Sequence, residues 1–503
     1  MRGARWFGAL VAGLALVAGT AGAATLRIGL QDDPDQLDPA RSGTFVGRIV
    51  FAGLCDKLVD IDQKLDIVPQ LATSWSWSAD NLALTMNLRP GVVFHDGEPF
   101  DAAAVKFNIE RYREAAYSVR KGELKPVKAV EVIGPLTVRI QLATPYAPLL
   151  AVLSDRAGMM LAPKAAAEAG ENVAANPVCS GPFKFAERVA QERIVLDKFD
   201  HYWNPSAIHI DKVMYLPIPD STVRLANLKS GQLDIVERVA ATDVKAVEGD
   251  RHLRLVTSPS LAYYTVSINL ANGEAANNPL GKNAKVREAL EWSLDRAALN
   301  QVVFDGQFIP SNQAEAPGSK YYNTDFPVPK RDLAKAKALL KDAGQEHPSF
   351  TLLAVNNPID QQVAQVVQSM AGEAGFEVKL QAIEQNTLIA AATKGDYQAT
   401  IVIWSGRADP DGNIAIWLAC DGFLNWGKWC DRKFDDLLGK ARATTVESER
   451  VALYKEASAI YLAERPHIFL YHLKWLWGTS GKVEGFAPVP DGIIRLQGMR
   501  VGS

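Results

Sequence analysis

Thr25–Leu30 (T-L-R-I-G-L) alternates apolar and polar positions, the period of a half-buried strand. Leu82, Leu84, Met86 and Leu88 alternate with Ala83, Thr85 and Asn87. Arg89-Pro90-Gly91 interrupts the run and Val92-Val93-Phe94 resumes it, which predicts a hairpin. His95-Asp96-Gly97-Glu98-Pro99 predicts a second turn, with Asp96 bonding local backbone. Asp101 then caps a helix with Val105, Ile109 and Tyr112 on one face. Thr137–Leu142 alternates again. After Asn278 the period becomes helical. Val286–Val303 reads as one helix with Val286, Leu290, Leu294, Ala297 and Val302 inward. Asp332–Ala343 turns Leu333, Ala336, Leu339 and Leu340 inward and stops at Gly344. Ser448–Glu464 is a third amphipathic helix, and Phe350–Val355 and Ala399–Trp404 are strand-like. Strands mixed with helices predict α/β layers. No low-complexity linker or tandem repeat occurs, so lobes joined by crossing strands are expected.

The first residues change the picture. Arg2 and Arg5 precede an uncharged apolar run, Trp6–Ala18, and Ala21-Gly22-Ala23 offers a small-x-small cleavage pattern. This is the layout of an export signal over residues 1–23, cut before Ala24. The run falls short of the roughly 20 apolar residues that span a bilayer. No direct membrane anchor is expected, and the mature chain is expected in the periplasm. The chain has 54 basic and 57 acidic residues; without Arg2 and Arg5 the balance is 52 against 57, or −5. That mild acidity argues against nucleic acid, which is held by basic patches. Roughly 480 residues remain, enough for several domains at about 100–200 residues each.

Four cysteines in an exported chain point to disulfides. Sequence alone allows three pairings. Local closure around Gly422, Asn425 and Gly427 favours Cys420–Cys430, which leaves Cys55–Cys179. Metal-ligand spacing of the Cys-x-x-Cys kind is absent from the sequence, so no metal and no cofactor are expected.

Catalytic chemistry finds little support. His95-Asp96 sits in a tight turn, and His467 and His472 lie five apart in a strand-like stretch. There is no His-Glu-x-x-His, Gly-x-Ser-x-Gly or phosphate-cradling loop. Enzyme function is not expected. Trp404, Trp417, Trp426 and Trp429 cluster, with Trp475 and Trp477 later; ordinary core packing accounts for most. Trp404 differs, because it ends a strand and opens the loop Ser405-Gly406-Arg407-Ala408-Asp409-Pro410-Asp411-Gly412. Strand-end loops are where α/β proteins dock ligands.

An ordered set of motifs runs through the chain. It comprises Leu71-Ala72-Thr73-Ser74-Trp75, Leu88-Arg89-Pro90-Gly91-Val92, Phe94-His95-Asp96-Gly97-Glu98-Pro99-Phe100 and Ala104-Val105-Lys106-Phe107. Gly181-Pro182-Phe183, Tyr202-Trp203, Ser230-Gly231-Gln232-Leu233-Asp234, Val286-Arg287-Glu288-Ala289-Leu290 and Asp295-Arg296 follow. The set resembles the extracellular solute-binding proteins of the peptide/nickel importer family. The resemblance implies a two-lobe periplasmic-binding-protein-like α/β fold of the large, three-subdomain kind. Lobe I would cover residues 24–262 with an extra subdomain about 66–178, and return over 478–503. Lobe II would cover 263–477, and the hinge would be Ser258–Tyr264 and Lys474–Thr479. The implied function is capture of a di- or oligopeptide, or an opine-like acid, for an ABC permease by a monomer. A metal chelate or a sugar is the alternative solute, and a secreted hydrolase a more distant one.

The resemblance also carries site residues. Peptide-binding relatives place a Trp-x-x-Asp carboxylate against the ligand amine. Here Arg407 stands at that Asp, and Asp409 is the nearest acid. Either Asp409 takes the role, or Arg407 meets an anionic ligand group, with an ion pair to an Asp as the structural alternative. Ser42-Gly43-Thr44-Phe45 would offer backbone to an extended ligand, unless Ser42 or Thr44 simply caps a helix running through Ile49. Tyr117–Lys121 would present Tyr117 and Arg120 to the cleft, unless Arg120 is a solvated helix end.

Overall fold

The computed structural model describes residues 24–502. The expected export signal, 1–23, lies outside the described residues.

One large sheet organises the molecule. Its main path runs through β1 (Thr25–Leu30), β2 (Phe183–Val189), β3 (Arg193–Lys198), β4 (Lys212–Pro217), β5 (Ile235–Val236), β6 (Leu253–Ile268), β7 (Ser349–Val355), β8 (Glu377–Ile383), β9 (Ala399–Trp404) and β10 (His467–Ser480), with the short strand Ile309–Pro310 paired to β10 off that path. Their spatial order is β8-β7-β9-β6-β10-β5-β1-β4-β3-β2. The long strands β6 and β10 therefore lie centrally and serve both halves. The half of β6 before Pro259 pairs with 474–480 of β10; the half from Tyr263 pairs with β9 and with 467–472. A register irregularity separates the halves between Pro259 and Tyr263. The two halves form a two-lobe α/β fold.

Each half contains parallel pairs. β1 lies between β4 and β5, and β7 lies between β8 and β9. Leu26, Ile28 and Leu30 of β1 fall on one face of the strand and are fully buried, as its alternation predicts. The four-stranded sheet of residues 72–142 stands apart. It has its own core around Leu84, Val105, Tyr112 and Ile140. A further core around Trp404, Trp417, Phe434 and Tyr461 is distinct from the main one. Trp417, Trp426 and Trp429 are buried there, as core packing predicts.

Three local expectations are corrected. Ala83–Leu88 pairs with 72–77 and 137–142, not with Val92–Phe94. Pairing along the chain loses to the two longer strands, and Val93 is left a single bridge to Pro99. The turn after it forms as expected, with Gly97 at φ +89° and Asp96 accepting from the Glu98 amide at 3.0 Å. The helix expected over Val286–Val303 is two, Ala284–Ser293 and Arg296–Phe304. Asp295 caps the second by accepting from the Ala298 amide. The break resets the helical phase, so Val302 is 69% exposed instead of inward. The helix near Ser42 begins at Phe45 and runs to Leu54, and Thr44 at its N-cap makes no side-chain cap bond. The hydroxyls of Ser42 and Thr44 donate instead to Asp35, at 2.9 and 2.8 Å.

Both disulfides form as expected, Cys55–Cys179 and Cys420–Cys430.

Candidate functional site

Ligands of α/β sheets dock beyond the carboxyl ends of parallel strands. In this fold those ends belong to two lobes and meet in one seam. β1 delivers Gln31 and Asp32, and β5 delivers Glu237 and Arg238. From the other lobe, β7 delivers Asn356 and Asn357, and β9 delivers Ser405, Gly406 and Arg407.

The loop after β9 is held rigidly. Asn413 Oδ1 accepts from the Arg407 amide at 2.7 Å and from the Trp404 indole at 3.2 Å. Its Nδ2 donates to the Arg407 carbonyl and to Glu315, each at 3.1 Å. Gly406 has φ +78°, and a Cβ there would lie 2.2 Å from Leu261 Cβ and 2.5 Å from the Leu261 carbonyl oxygen. Only glycine lets this loop lie on the crossing segment.

Arg407 ion-pairs across the seam with Asp155, Nε to Oδ2 at 2.7 Å. Its guanidinium stacks over the buried Trp404 ring at 4.3 Å from the centroid and donates to the Gly406 carbonyl at 2.8 Å. Arg48 also reaches Asp155, at 3.2 Å, and donates to Ser405 Oγ from the opposite lobe at 3.2 Å. Arg156 lies 3.8 Å from the same carboxylate. Burial opposes ionisation of Asp155, but Arg407, Arg48 and Arg156 outweigh it and hold the carboxyl well below the usual range. The cationic side is in excess. Arg120, fully buried, adds a fourth guanidinium, matched by Glu123 at 2.7 Å. Burial, and then the neighbouring Arg120, brings Arg156 down to about 9; burial brings Arg407 to about 10 despite Asp155.

The expected residues divide accordingly. Trp404, Ser405, Gly406, Arg407, Ser42 and Thr44 come together around this cluster. Arg156 donates to the Ser42 carbonyl at 2.8 Å and Arg120 to the same oxygen at 3.1 Å. Asp35 accepts from the Gly43 amide at 2.7 Å. The Ser42–Thr44 backbone is thus engaged internally. Arg120 is no solvated helix end, because its helix stops at Glu114 and its guanidinium faces the Phe423 ring of the other lobe at 5.5 Å. Tyr117 stands aside, donating to the Gly170 carbonyl at 3.3 Å. Phe45 stacks on Trp475 at 4.9 Å, with Arg238 over both rings. Asp409 is taken by Arg450 at 2.8 Å; burial still raises its pKa against that partner. Arg48, Asp155, Arg156 and Asn413 were not foreseen. Arg48 and Ser405 are 357 residues apart, and no local spacing announces such a pair.

Beside the cluster, a cavity of about 620 Å³ opens between the lobes, walled by Glu123, Tyr146 and Asp155 on one side and Arg407, Asp411 and Phe423 on the other. Its size is that of a site for a small organic solute. Burial lowers His467 to about 3 and His472 to about 4, so both are neutral near pH 7. His95, brought to about 4 by burial, bridges the Gly181 carbonyl and the Cys179 amide.

A profile of the bacterial extracellular solute-binding proteins, family 5 (middle part), matches residues 66–425. The chain belongs to this family. It is 29% identical over 476 residues to the glutathione-binding protein GsiB of Pectobacterium atrosepticum, covering 92% of this chain and 91% of that protein. Among solved structures it resembles DppA, an ABC transporter-associated periplasmic binding protein of Helicobacter pylori in complex with the peptide STSA. That match has a TM-score of 0.87 at 25% identity, covering 95% of this chain and 98% of that one. It also resembles the binding protein AgaA of A. tumefaciens R10 in complex with agropinic acid, with a TM-score of 0.86 at 27% identity over 95% of this chain and 99% of that one. Among the described residues no helix is long and apolar enough to cross a membrane. The interlobe cavity lies in a solute-binding protein.

Proposed function

We propose that this protein is the periplasmic receptor of an ABC importer and that it captures a peptide-like acid, delivering it without covalent chemistry. One observation carries the reading. Among the described residues, four buried guanidinium groups, Arg48, Arg120, Arg156 and Arg407, share ion pairs with two carboxylates, Asp155 and Glu123, at one wall of the cavity. Buried charge in excess is costly until an opposite charge arrives. Arg407 lines the cavity, so an anionic ligand group there would reduce the imbalance. Relatives named for glutathione and agropinic acid support a solute bearing carboxylates. Ser42–Phe45, Trp404–Arg407, Asp409 and Arg120 would build or border the binding wall, with Tyr117 behind it. The lobes would span 24–262 with 478–503, and 263–477, and would close about 258–264 and 474–479.

The test starts with the purified protein, denatured so that any retained solute is identified by mass spectrometry. Melting scans follow, with glutathione, an acidic dipeptide and a neutral dipeptide. A solute at a hundred times its dissociation constant stabilises by about 2.7 kcal/mol. The expected result is stabilisation by anion-rich solutes, intact solute on recovery, and loss of the effect in Arg407→Ala. Equal response to the neutral dipeptide, unchanged affinity in Arg407→Ala, or turnover of the peptide would refute the reading.

A further inference from the structure

Among the described residues, every carboxylate that lines the interlobe cavity already has a cation. Asp411 takes Arg442 on both oxygens, at 2.7 and 3.2 Å. Asp409 takes Arg450 at 2.8 Å, Glu123 takes Arg120 at 2.7 Å, and Asp421 takes Lys125 across the rim. Asp155 is shared by Arg48, Arg156 and Arg407. The wall is thus balanced pair by pair, except at Asp155, where the cations outnumber the carboxylate. An ammonium group brought into the cavity would find each of these acids engaged and would add to the charge already in excess. Taking an ion out of water without a counter-charge is costly. A solute nitrogen is therefore better held here uncharged.

Between the ion pairs the walls are apolar. Pro145, Pro148 and Val152 line the cavity from one lobe, and Ala415, Ile416 and Phe423 from the other. Its volume of about 620 Å³ holds far more than a carboxylate. A neutral donor stands among them. Tyr146 lines the cavity, is 5% exposed, and among the described residues its hydroxyl makes no hydrogen bond. Burial pushes its phenol well up, so the group stays protonated and can donate. Buried polar groups are nearly always hydrogen-bonded, and a solute carbonyl would supply the missing acceptor.

We propose that the solute is an acid whose nitrogen is acylated and whose body is apolar, the class of the N-acyl amino acids. Its amide carbonyl accepts from Tyr146, and its side chain lies against the apolar walls. The place of its carboxylate, at Arg407, rests on the function proposed above. The uncharged nitrogen and the apolar body rest on the pairing and the lining of the cavity.

The test compares four probes by melting scan and titration calorimetry of the mature protein: N-acetylleucine, N-acetylglycine, leucine and N-acetylleucinamide. Each buried methylene is worth about fourfold in affinity, so N-acetylleucine should bind about tenfold or more tightly than N-acetylglycine. Leucine, which keeps its ammonium, should bind about tenfold or more weakly than N-acetylleucine. Tyr146→Phe keeps the ring and should weaken N-acetylleucine by about three- to tenfold, the worth of one hydrogen bond. Leucine or N-acetylglycine binding as tightly as N-acetylleucine, an unchanged affinity in Tyr146→Phe, or no rise in Tm with any of the four overturns the proposal. N-acetylleucinamide binding as tightly as N-acetylleucine would sink the anion at Arg407 and leave the uncharged nitrogen and apolar body standing. Equal binding of leucine and N-acetylleucine, with none of the amide, would do the reverse.

Discussion

The two ends of the interlobe seam are built from similar residue types and behave oppositely. At the Arg407 end a single carboxylate, Asp155, is ringed by three arginines and held ionised. At the Asp32 end, Asp32 and, from the helix Pro358–Ala374 of the other lobe, Asp360 make no ion pair among the described residues, and burial raises both. The lesson is that an aspartate's effect on stability is set by what surrounds it. At one end the charge is required by the fold, and at the other it is tolerated.

The largest expected effect breaks the first end. Asp155→Ala removes the carboxylate that ion-pairs with Arg48, Arg156 and Arg407 and should destabilise by about 3–5 kcal/mol, read by urea unfolding near neutral pH. The folded Asp155 carboxyl titrates well below its unfolded value. Its contribution is therefore present above about pH 4 and fades as pH falls further. A loss under about 1 kcal/mol would mean that the arginines find other partners.

Gly406→Ala tests whether the Arg407 loop depends on its seat. The added Cβ meets the Leu261 backbone, and a cost of about 1–3 kcal/mol is expected, together with weaker solute binding. Full affinity in this variant would show that Arg407 is placed by something other than its loop.

Asp32→Asn is the counterpart at the second end, and the sign reverses. A carboxyl raised to about 7 in the fold binds its proton more tightly folded than unfolded. Stability is then lost as pH rises from about 4 to 7, so the amide should stabilise the protein at about pH 8 by on the order of 1 kcal/mol. The gain should vanish below about pH 4; a loss of stability at pH 8 would contradict the contrast. The smallest effect is expected at the rim, where exposed Lys125 bridges the cleft to Asp421. Lys125→Ala should change stability by less than about 0.5 kcal/mol, and a larger change would make the rim pair a real tie between lobes.

What the sequence discloses depends on how far a residue's determinants lie along the chain. Thr25–Leu30, Thr137–Leu142, Ala399–Trp404 and the cap at Asp101 were legible because pattern and capping are local. The helix over 286–303 was misread because apolar spacing survives a break that Asp295 recaps. Trp404 and Arg407 were legible as a strand end entering a loop. Their partners were not: Asp155 and Arg48 reach the seam from another lobe, and nothing beside them in sequence distinguishes them from surface charges. Asp32 was overlooked for the same reason, although its place directly after β1 was a usable signal.

The Cys55–Cys179 bridge holds the two ends of a long excursion 4.9 Å apart at Cα. Between them lie the four-stranded sheet with its own core, and Glu123, Tyr146 and Asp155, one whole wall of the cavity. The chain thus leaves the main sheet and returns to nearly the same place. In architectural terms this is a cassette set in a socket. Any replacement of the cassette would have to bring a carboxylate to the place of Asp155, because Arg48 and Arg407 stay behind in the socket.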